Sequence, residues 1–273
     1  MNHSLRFDEK AARRVEAVYT TPDVAAQRAA LLQALALRPG EDVLDIGSGP
    51  GFLAREMAEA VGASGRVEGI DASAPMISLA AGRCADSPNV SFREGDALRL
   101  PYPDAAFDAA VSSQVYEYVA DIGGALAEMR RVLRPGGRAL ILDTDWGSLV
   151  WNAGDRERAA RVLAAWDEHL ADPRLPRTLS ARLRAAGFEI LRRETLPLFN
   201  PEWDPDTYSA GMVDLIVPFV IGRRGVTKEE AKAWSADLRA TGERGEYFFS
   251  LNRYLFLARK PGILPRGPEA EGG

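Results

Sequence analysis

Apolar and polar residues follow two different periods along the chain, and the period changes from one segment to the next. Short apolar runs predict buried strands over residues 43–46, 66–70, 89–93, 107–111 and 138–143. Between these runs, apolar residues recur three and four positions apart, which predicts amphipathic helices over 52–61, from Pro75 onward, and over 121–133. Strands that alternate with helices predict a parallel sheet covered on both faces.

The pattern on either side of this alternation is less regular. A helix is predicted over 22–37, opened by Pro22 and ended by the Arg38-Pro39-Gly40 run, and the polar residues before it predict a mobile arm or a short helix. After residue 145 the pattern predicts helices over 155–170, 177–186, 206–221 and 227–240, and strands over 188–198 and 247–260.

These elements predict a single domain built from four stretches of chain. The stretches are an N-terminal arm and helix (1–40), a ligand-binding core (41–145), the rest of the sheet with a helical cap at about 200–245 (146–260), and a disordered tail rich in Pro, Gly and Glu (261–273).

Composition removes several classes of function. A net charge of -5 gives no argument for nucleic acid or an anionic membrane as partner. One cysteine, Cys84, excludes a disulfide framework and a thiolate zinc site, and no metal site is expected. No apolar run is long enough for a membrane span, and the first residues lack an apolar signal region, so we expect a cytoplasmic protein of open oligomeric state.

Candidate chemistry concentrates where the first strand ends. Gly47, Gly49 and Gly51 lie between that strand and the next helix, and Asp45 precedes them. Glycine lets a ligand approach the backbone, and a helix N-terminus offers free N–H groups. The sequence therefore predicts a small-molecule site at this turn rather than an ordinary connection.

Three carboxylates, Asp45, Asp71 and Asp96, come at or just after the ends of consecutive strands. Asp71 is placed to accept hydrogen bonds from ribose hydroxyls, and Asp96 to accept one from the exocyclic amine of adenine. Asp45 could fix the glycine turn or neutralise a cationic ligand. Each of the three could instead be a loop cap.

The glycine spacing distinguishes between nucleoside cofactors. A dinucleotide site has the pattern G-x-G-x-x-G, whereas this chain has G-x-G-x-G and no basic residue in the turn. Asp45 would repel a diphosphate but suits an ammonium or a sulfonium. The residues therefore favour S-adenosylmethionine.

The motifs resemble those of the class I S-adenosylmethionine-dependent methyltransferases, in the ubiquinone/menaquinone-type small-molecule branch. The resemblance lies in residues 43–51 (motif I), 69–73 (the acidic ribose loop), 94–108 (the adenine side) and 133–137 (the turn before the fifth strand). It implies a doubly wound, Rossmann-like sheet of seven strands that are mostly parallel. The last strand of such a sheet is antiparallel, and residues 247–260 can form it.

The same resemblance implies the cofactor-binding residues. The glycine turn would hold the methionyl part, Asp71 the ribose and Asp96 the adenine, and the full set is Asp45, Gly47, Ser48, Gly49, Gly51, Asp71, Ala72, Met76, Asp96, Ala97, Ser113 and Gln114. Tyr19 could fold over the cofactor. Branch members often have Leu-x-His where this chain has Tyr116-Glu117-Tyr118, a departure that removes one candidate histidine.

Methyl transfer from a sulfonium needs orientation and exclusion of water, and a base only when the acceptor arrives protonated. His169 is the candidate base, with a surface or helix-end role as the alternative. The candidate acceptor-binding residues are Asp145, Trp146, Trp151, Tyr208, Met212 and Phe219. An apolar cap favours an aromatic or isoprenoid acceptor, although the helix over 206–221 could simply pack on the core.

The sequence thus predicts a methyltransferase acting at O, C or N of a small, apolar or aromatic molecule. A single cysteine disfavours arsenic methylation, and residues 112–116 lack the Asn/Asp-Pro-Pro-Tyr motif of amino-methylating enzymes of DNA and protein. The alternatives are a nicotinamide-dependent oxidoreductase and a cofactor-binding module without catalysis.

Overall fold

Seven strands form one sheet in the computed structural model, which describes residues 9–262 of the chain, with side chains from residue 13 onward. The strands are β1 (Asp42–Ile46), β2 (Arg66–Asp71), β3 (Val90–Glu94), β4 (Phe107–Ser113), β5 (Leu133–Trp151), β6 (Glu189–Asn200) and β7 (Phe249–Arg259). The predicted tail, except for its first two residues, and the first part of the predicted arm lie outside the described residues.

Nine α-helices lie in the described part of the chain. They are α1 (Glu9–Tyr19), α2 (Pro22–Leu35), α3 (Phe52–Val61), α4 (Ala74–Arg83), α5 (Ile122–Val132), α6 (Arg156–Trp166), α7 (Pro176–Ala185), α8 (Tyr208–Val220) and α9 (Lys228–Glu243). Short 3₁₀ turns cover Tyr116–Tyr118 and Asp167–His169. None of the helices found between residues 9 and 262 combines the length and the apolar character needed to cross a membrane.

The strand order is β3-β2-β1-β4-β5-β7-β6. The chain winds outward from β1 in both directions, and β7 runs antiparallel to both β5 and β6 while the other pairs are parallel. The prediction of a doubly wound, mostly parallel sheet with an antiparallel last strand is confirmed. Because the strand order reverses at β1 and β4, the carboxyl ends of these two strands open a crevice.

Local sequence explains where the helices begin. Asp121 and Asp155 each accept a hydrogen bond from a backbone N–H in the first turn of α5 and α6, and Ser73 does so for α4. Thr227 and Glu230 form a capping box at α9. These caps fix the helix starts within one or two residues of the predicted positions.

Apolar side chains pack in three layers of core. One lies between the sheet and α2 and α3, and one between the opposite face of the sheet and α5 and α7. The third joins α1, α6, α8 and α9 to the ends of β5 and β7, and it forms a helical cap beyond the rim of the sheet. This cap places apolar and aromatic side chains opposite the crevice.

The fifth strand and the helix over 155–170 differ from the sequence predictions, and the described part of the arm takes the helical one of its two predicted forms. The fifth strand is longer than residues 138–143, because Leu133 already pairs with Phe107 and the strand resumes pairing with β7 at Val150. The polar arm contains the regular helix α1, in which Val15, Val18 and Tyr19 recur at helical spacing. The helix predicted over 155–170 changes after Trp166 into the second 3₁₀ turn.

Candidate active site

The turn after β1 is tied to the neighbouring strand. The N–H groups of Gly47 and Ser48 both donate to the carbonyl of Ile70 in β2, at 2.7 and 3.0 Å. Gly47 has φ +73°, and a Cβ at this position would lie 2.2 Å from Val115 Cγ2. A side chain cannot be accommodated there, so the backbone bend depends on glycine.

Gly49 presents bare backbone to an open space. Its φ is +51°, and a Cβ built on it would meet no protein atom within 4 Å. Its N–H donates to Asp71 Oδ2 at 2.9 Å. This residue therefore forms a cradle that a bound molecule, rather than the protein, can fill.

Asp71 connects the glycine turn with the next loop. Its second oxygen, Oδ1, accepts from the N–H of Ser73 at 2.9 Å. Burial raises the pKa of Asp71, and the backbone hydrogen bonds oppose that effect. Since a carboxylate has about four lone-pair positions, Asp71 keeps acceptor capacity for two hydroxyl groups.

Asp45 lies beneath the turn with only 2% of its surface exposed. Its Oδ2 has no hydrogen-bond partner among the described residues, and the side chain lines a small recess beside Gly47 and Ser113. Burial, with the Asp71 charge as a second cause, raises the pKa of Asp45 to about 7. A buried carboxyl oxygen without a partner suits a cationic ligand group.

The end of β4 carries a strained residue. Gln114 has φ +57°, which is uncommon outside glycine, and its N–H donates to the carbonyl of Leu142 at 2.6 Å. Ser113 and Gln114 both line the space in front of the glycine turn. Strain of this kind is concentrated at functional sites.

A cavity of about 660 Å³ extends from the glycine turn to the helical cap. One end is lined by Gly47, Gly49, Asp71, Ala72 and Met76. The rest of the wall is lined by residues of the cap and of the segments after β4 and β5, namely Val15, Val18, Tyr19, Glu117, Tyr118, Trp146, Trp166, His169, Tyr208, Met212, Leu215 and Arg253. Tyr19 and Arg253 also line the small recess that Asp45, Gly47 and Gly49 form. The polar surface beside the glycine turn is thus continuous with an aromatic wall.

His169 is enclosed by aromatic rings. It stacks on Trp166 with ring centroids 3.8 Å apart, and Trp146 and Tyr118 approach its edge at 5.5 and 5.7 Å. Its Nδ1 is hydrogen-bonded to the carbonyl of Trp166, so Nδ1 carries the proton and Nε2, which is buried without a partner, has the lone pair. Burial lowers the pKa of His169 to about 3, so the ring is neutral.

Most of the sequence-predicted site residues lie together. Those that line the cavity or its recess are Tyr19, Asp45, Gly47, Ser48, Gly49, Asp71, Ala72, Met76, Ser113, Gln114, Trp146, His169, Tyr208 and Met212. Phe219 packs behind this wall, 5.2 Å from Trp166. Gly51 packs against Ala80 instead of facing the cavity.

Four predicted residues lie elsewhere. Asp96 is exposed and accepts from the N–H of Leu98 in its own loop, with Ala97 beside it. Asp145 is paired with Arg177 at 2.8 Å. Trp151 packs against Trp234 and Phe249, and its Nε1 donates to Tyr247 Oη. None of the four appears on the cavity wall formed by the described residues.

Two charged wall residues, Glu117 and Arg253, were absent from the sequence prediction. Arg253 has a sequence signal, because it shares the inward face of β7 with Leu251 and Leu255 at a period of two. Glu117 has none, because only the turn after β4 brings its side chain inward. Both side chains are 1% exposed.

Geometry supports a nucleoside-bearing ligand with a positive charge. Gly49 leaves space that no side chain fills, Asp71 offers oxygens to hydroxyl groups, and the unpartnered Asp45 suits a cation. These residues fit S-adenosylmethionine. Fold and site together define an α/β protein that binds a small molecule at a topological switch point of its sheet.

Comparison with known proteins agrees with this class. A methyltransferase domain model matches residues 44–141. The 2-phytyl-1,4-naphtoquinone methyltransferase of Thermosynechococcus vestitus is 34% identical over 177 residues, which are 59% of this chain and 78% of that protein. The chain belongs to the class I S-adenosylmethionine-dependent methyltransferases.

Two further matches extend the comparison. An uncharacterized 37.1 kDa protein in transposon Tn4556 of Streptomyces fradiae is 42% identical over 153 residues, 56% of this chain and 43% of that protein. The crystal structure of the [4+2]-cyclase SpnF is 26% identical with a TM-score of 0.59, and the match covers 88% of this chain and 82% of that one. The chain spans less than half the length of several curated relatives that it matches, 43% to 48%.

Proposed function

We propose that the protein transfers a methyl group from S-adenosylmethionine to O, C or N of a small, apolar or aromatic molecule. The observation that carries the proposal is the single cavity joining the glycine turn and Asp71 to an aromatic wall. A nicotinamide-dependent oxidoreductase is not favoured, because the chain belongs to the methyltransferases and its turn lacks the dinucleotide spacing.

When bound, the cofactor supplies a methyl group on a positively charged sulfur. The backbone at Gly47 and Gly49 then supports its methionyl part, and Asp71 accepts hydrogen bonds from the ribose hydroxyls. Asp45 neutralises the ammonium group, and Met76 covers one face of the adenine. Asp96 and Ala97 remain candidates for the adenine edge through their motif alone.

The aromatic end of the cavity supports the choice of acceptor. Trp146, Tyr208 and Met212 line it, and Phe219 supports the wall from behind. An apolar, enclosed space orients an aromatic acceptor and excludes water, which together contribute much of the catalysis of a displacement reaction. The relative from Thermosynechococcus vestitus is named for a naphthoquinone, a molecule of this kind.

His169 keeps a more limited role than the sequence suggested. Its neutral ring and low pKa make it a weak proton acceptor, but its bare Nε2 can accept a hydrogen bond from an acceptor molecule. We propose it as a hydrogen-bond acceptor in the aromatic wall. The proposal also includes a cytoplasmic location and no nucleic acid as partner.

Calorimetry tests the cofactor, and radiolabel transfer tests the reaction. The protein should bind S-adenosylhomocysteine and not NAD, and it should move a labelled methyl group onto a panel of hydroxynaphthalenes and quinols. Asp71→Ala should weaken the binding of S-adenosylhomocysteine by about 10-fold or more, as expected for a hydrogen bond to a charged group. Tight binding of NAD without binding of the nucleoside thioether would refute the proposal.

A second candidate function is cofactor binding without methyl transfer. The observation that favours it is the similarity to SpnF, a protein named as a cyclase. In that case S-adenosylhomocysteine would bind, yet no labelled methyl group would leave the donor with any acceptor. The same two measurements therefore separate the candidates.

A further inference from the structure

Glu117 and Arg253 place two buried, opposite charges on the wall of one cavity. Among the described side chains, no carboxylate oxygen lies within 4.0 Å of a guanidinium nitrogen of Arg253. Buried charges that lack an oppositely charged partner are costly. A ligand group able to contact both would remove that cost.

Arg253 is held in a fixed orientation. Its Nη1 donates to Gln27 Oε1, and Gln27 Nε2 in turn donates to the carbonyl of Leu196 at 3.1 Å, which fixes the orientation of the amide. The guanidinium lies over the ring of Tyr208, 4.6 Å from its centroid, and Nε has no hydrogen-bond partner among the described residues. One donor of a rigid cation is thus unused.

Glu117 is held just as firmly. Its Oε2 accepts from the N–H of Thr144 at 3.0 Å. Its backbone carbonyl accepts from the N–H groups of Ala171 and Asp172 at 2.9 and 3.0 Å, so the 3₁₀ turn is joined to the loop before α7. The carboxylate is therefore a preformed part of the wall.

We infer that Glu117 receives a hydroxyl group of the methyl acceptor and takes its proton during methyl transfer. The inference rests on the proposed function and adds the polar group that the acceptor carries. A hydroxyl group donates to a carboxylate and accepts from a guanidinium, which matches the two charges on this wall. A cationic amine is disfavoured, because the Arg253 charge would repel it.

The step balances within the site. The acceptor oxygen forms a bond to the methyl carbon, and the carbon–sulfur bond breaks with its electron pair remaining on sulfur. The hydroxyl proton passes to Glu117, which releases it to water after the product leaves. A developing negative charge on the acceptor oxygen lies in the field of Arg253.

The surroundings of Glu117 suit this task. Burial raises its pKa to about 7, and the Arg253 charge opposes that effect. Asp143 of β5, Tyr118 of the same turn, Tyr19 of α1 and Tyr208 of α8 also interact with it electrostatically. Burial, followed by the Glu117 charge, holds the pKa of Asp143 well above its usual range.

Two probes of nearly the same shape test the hydrogen bond. With the full chain saturated by S-adenosylhomocysteine at pH 8, 1-naphthol should bind roughly 10-fold more tightly than 1-methoxynaphthalene, which cannot donate. Glu117→Gln should lose most of this preference. Glu68→Gln is the matched control, because Glu68 is a buried carboxylate outside the cavity, hydrogen-bonded to Ser91 at 2.7 Å.

The wild-type protein provides a test that needs no variant. Its preference for 1-naphthol should disappear as the pH falls below about 7, when Glu117 takes up a proton. Equal affinity for the two probes at pH 8, or a preference that Glu117→Gln retains, would overturn the inference. So would a loss of S-adenosylhomocysteine binding of more than 10-fold in Glu117→Gln, because Glu117 would then hold the cofactor. Wild-type protein that binds no S-adenosylhomocysteine would instead be a failure of the proposed function.

Discussion

Asp45→Asn is the most informative single substitution in the cofactor site, because it removes a charge and changes little else. In the free protein Asp45 has a pKa of about 7, chiefly because it is buried. An ammonium group bound beside it should lower that pKa by about 2–3 units, within the range for a close opposite charge. Binding of S-adenosylhomocysteine should therefore displace a proton from Asp45.

The magnitude follows from the fraction protonated. At pH 6 a group of pKa 7 is about 90% protonated, so binding should release about 0.9 proton, falling to about 0.1 at pH 8. The affinity should rise about 10-fold over the same interval, which is ~1.4 kcal/mol. Calorimetry in two buffers of different ionisation enthalpy measures the proton release directly.

Two variants make the result specific. Asp45→Asn should release no proton and should show a flat affinity between pH 6 and pH 8. Glu117→Gln removes the other buried carboxyl of similar pKa and should keep the full release. Equal proton release from wild type and Asp45→Asn would refute the placement of the ammonium beside Asp45.

Three further outcomes are expected. Gly49→Ala and Gly245→Ala should both lose stability, since both residues have positive φ and open space around a Cβ, but only Gly49→Ala should abolish binding of S-adenosylhomocysteine by calorimetry. Gln114→Gly should raise the free energy of unfolding in urea by about 1 kcal/mol, because it relieves a left-handed backbone, whereas Gln114→Ala should not. The free protein should be less stable at pH 8 than at pH 5, because Asp45 and Glu117 bind protons more tightly when folded than when unfolded. The free energy of unfolding should fall by up to about 3 kcal/mol for each group, and an unchanged value would contradict their burial.

The parts of the site that could be predicted from sequence are those made by local pattern. A short apolar strand, a glycine turn and a helix follow one another directly, so the geometry around Gly47 and Gly49 depends on residues within about ten positions. The position of Asp71 could be predicted in the same way, because it comes directly at the end of the next strand, β2. Asp96 also follows a strand end, but it is exposed and does not line the cavity formed by the described residues, so its role stays a prediction.

Other parts depend on contacts between distant segments. Glu117 faces the cavity because its turn is hydrogen-bonded to residues 171 and 172. Trp151 packs between β5 and α9 and does not line the cavity, whereas Trp146 does. No local sequence pattern distinguishes the two tryptophans. By contrast, Arg253 could have been predicted, since a charged residue at an inward position of a strand marks an unusual site.

Helix α1 contributes Val18 and Tyr19 to the wall of the cavity, and Tyr19 also lines the recess beside Gly47 and Gly49. It lies against α8 at a point where Gly211 has no side chain, and a Cβ there would come within 2.7 Å of Val18 Cγ2. The packing between these two helices therefore controls how well α1 separates the cavity from solvent. Gly211→Ala would push α1 away from α8 without altering any residue that lines the cavity. The rate of product release should therefore change although the groups that contact the product stay the same.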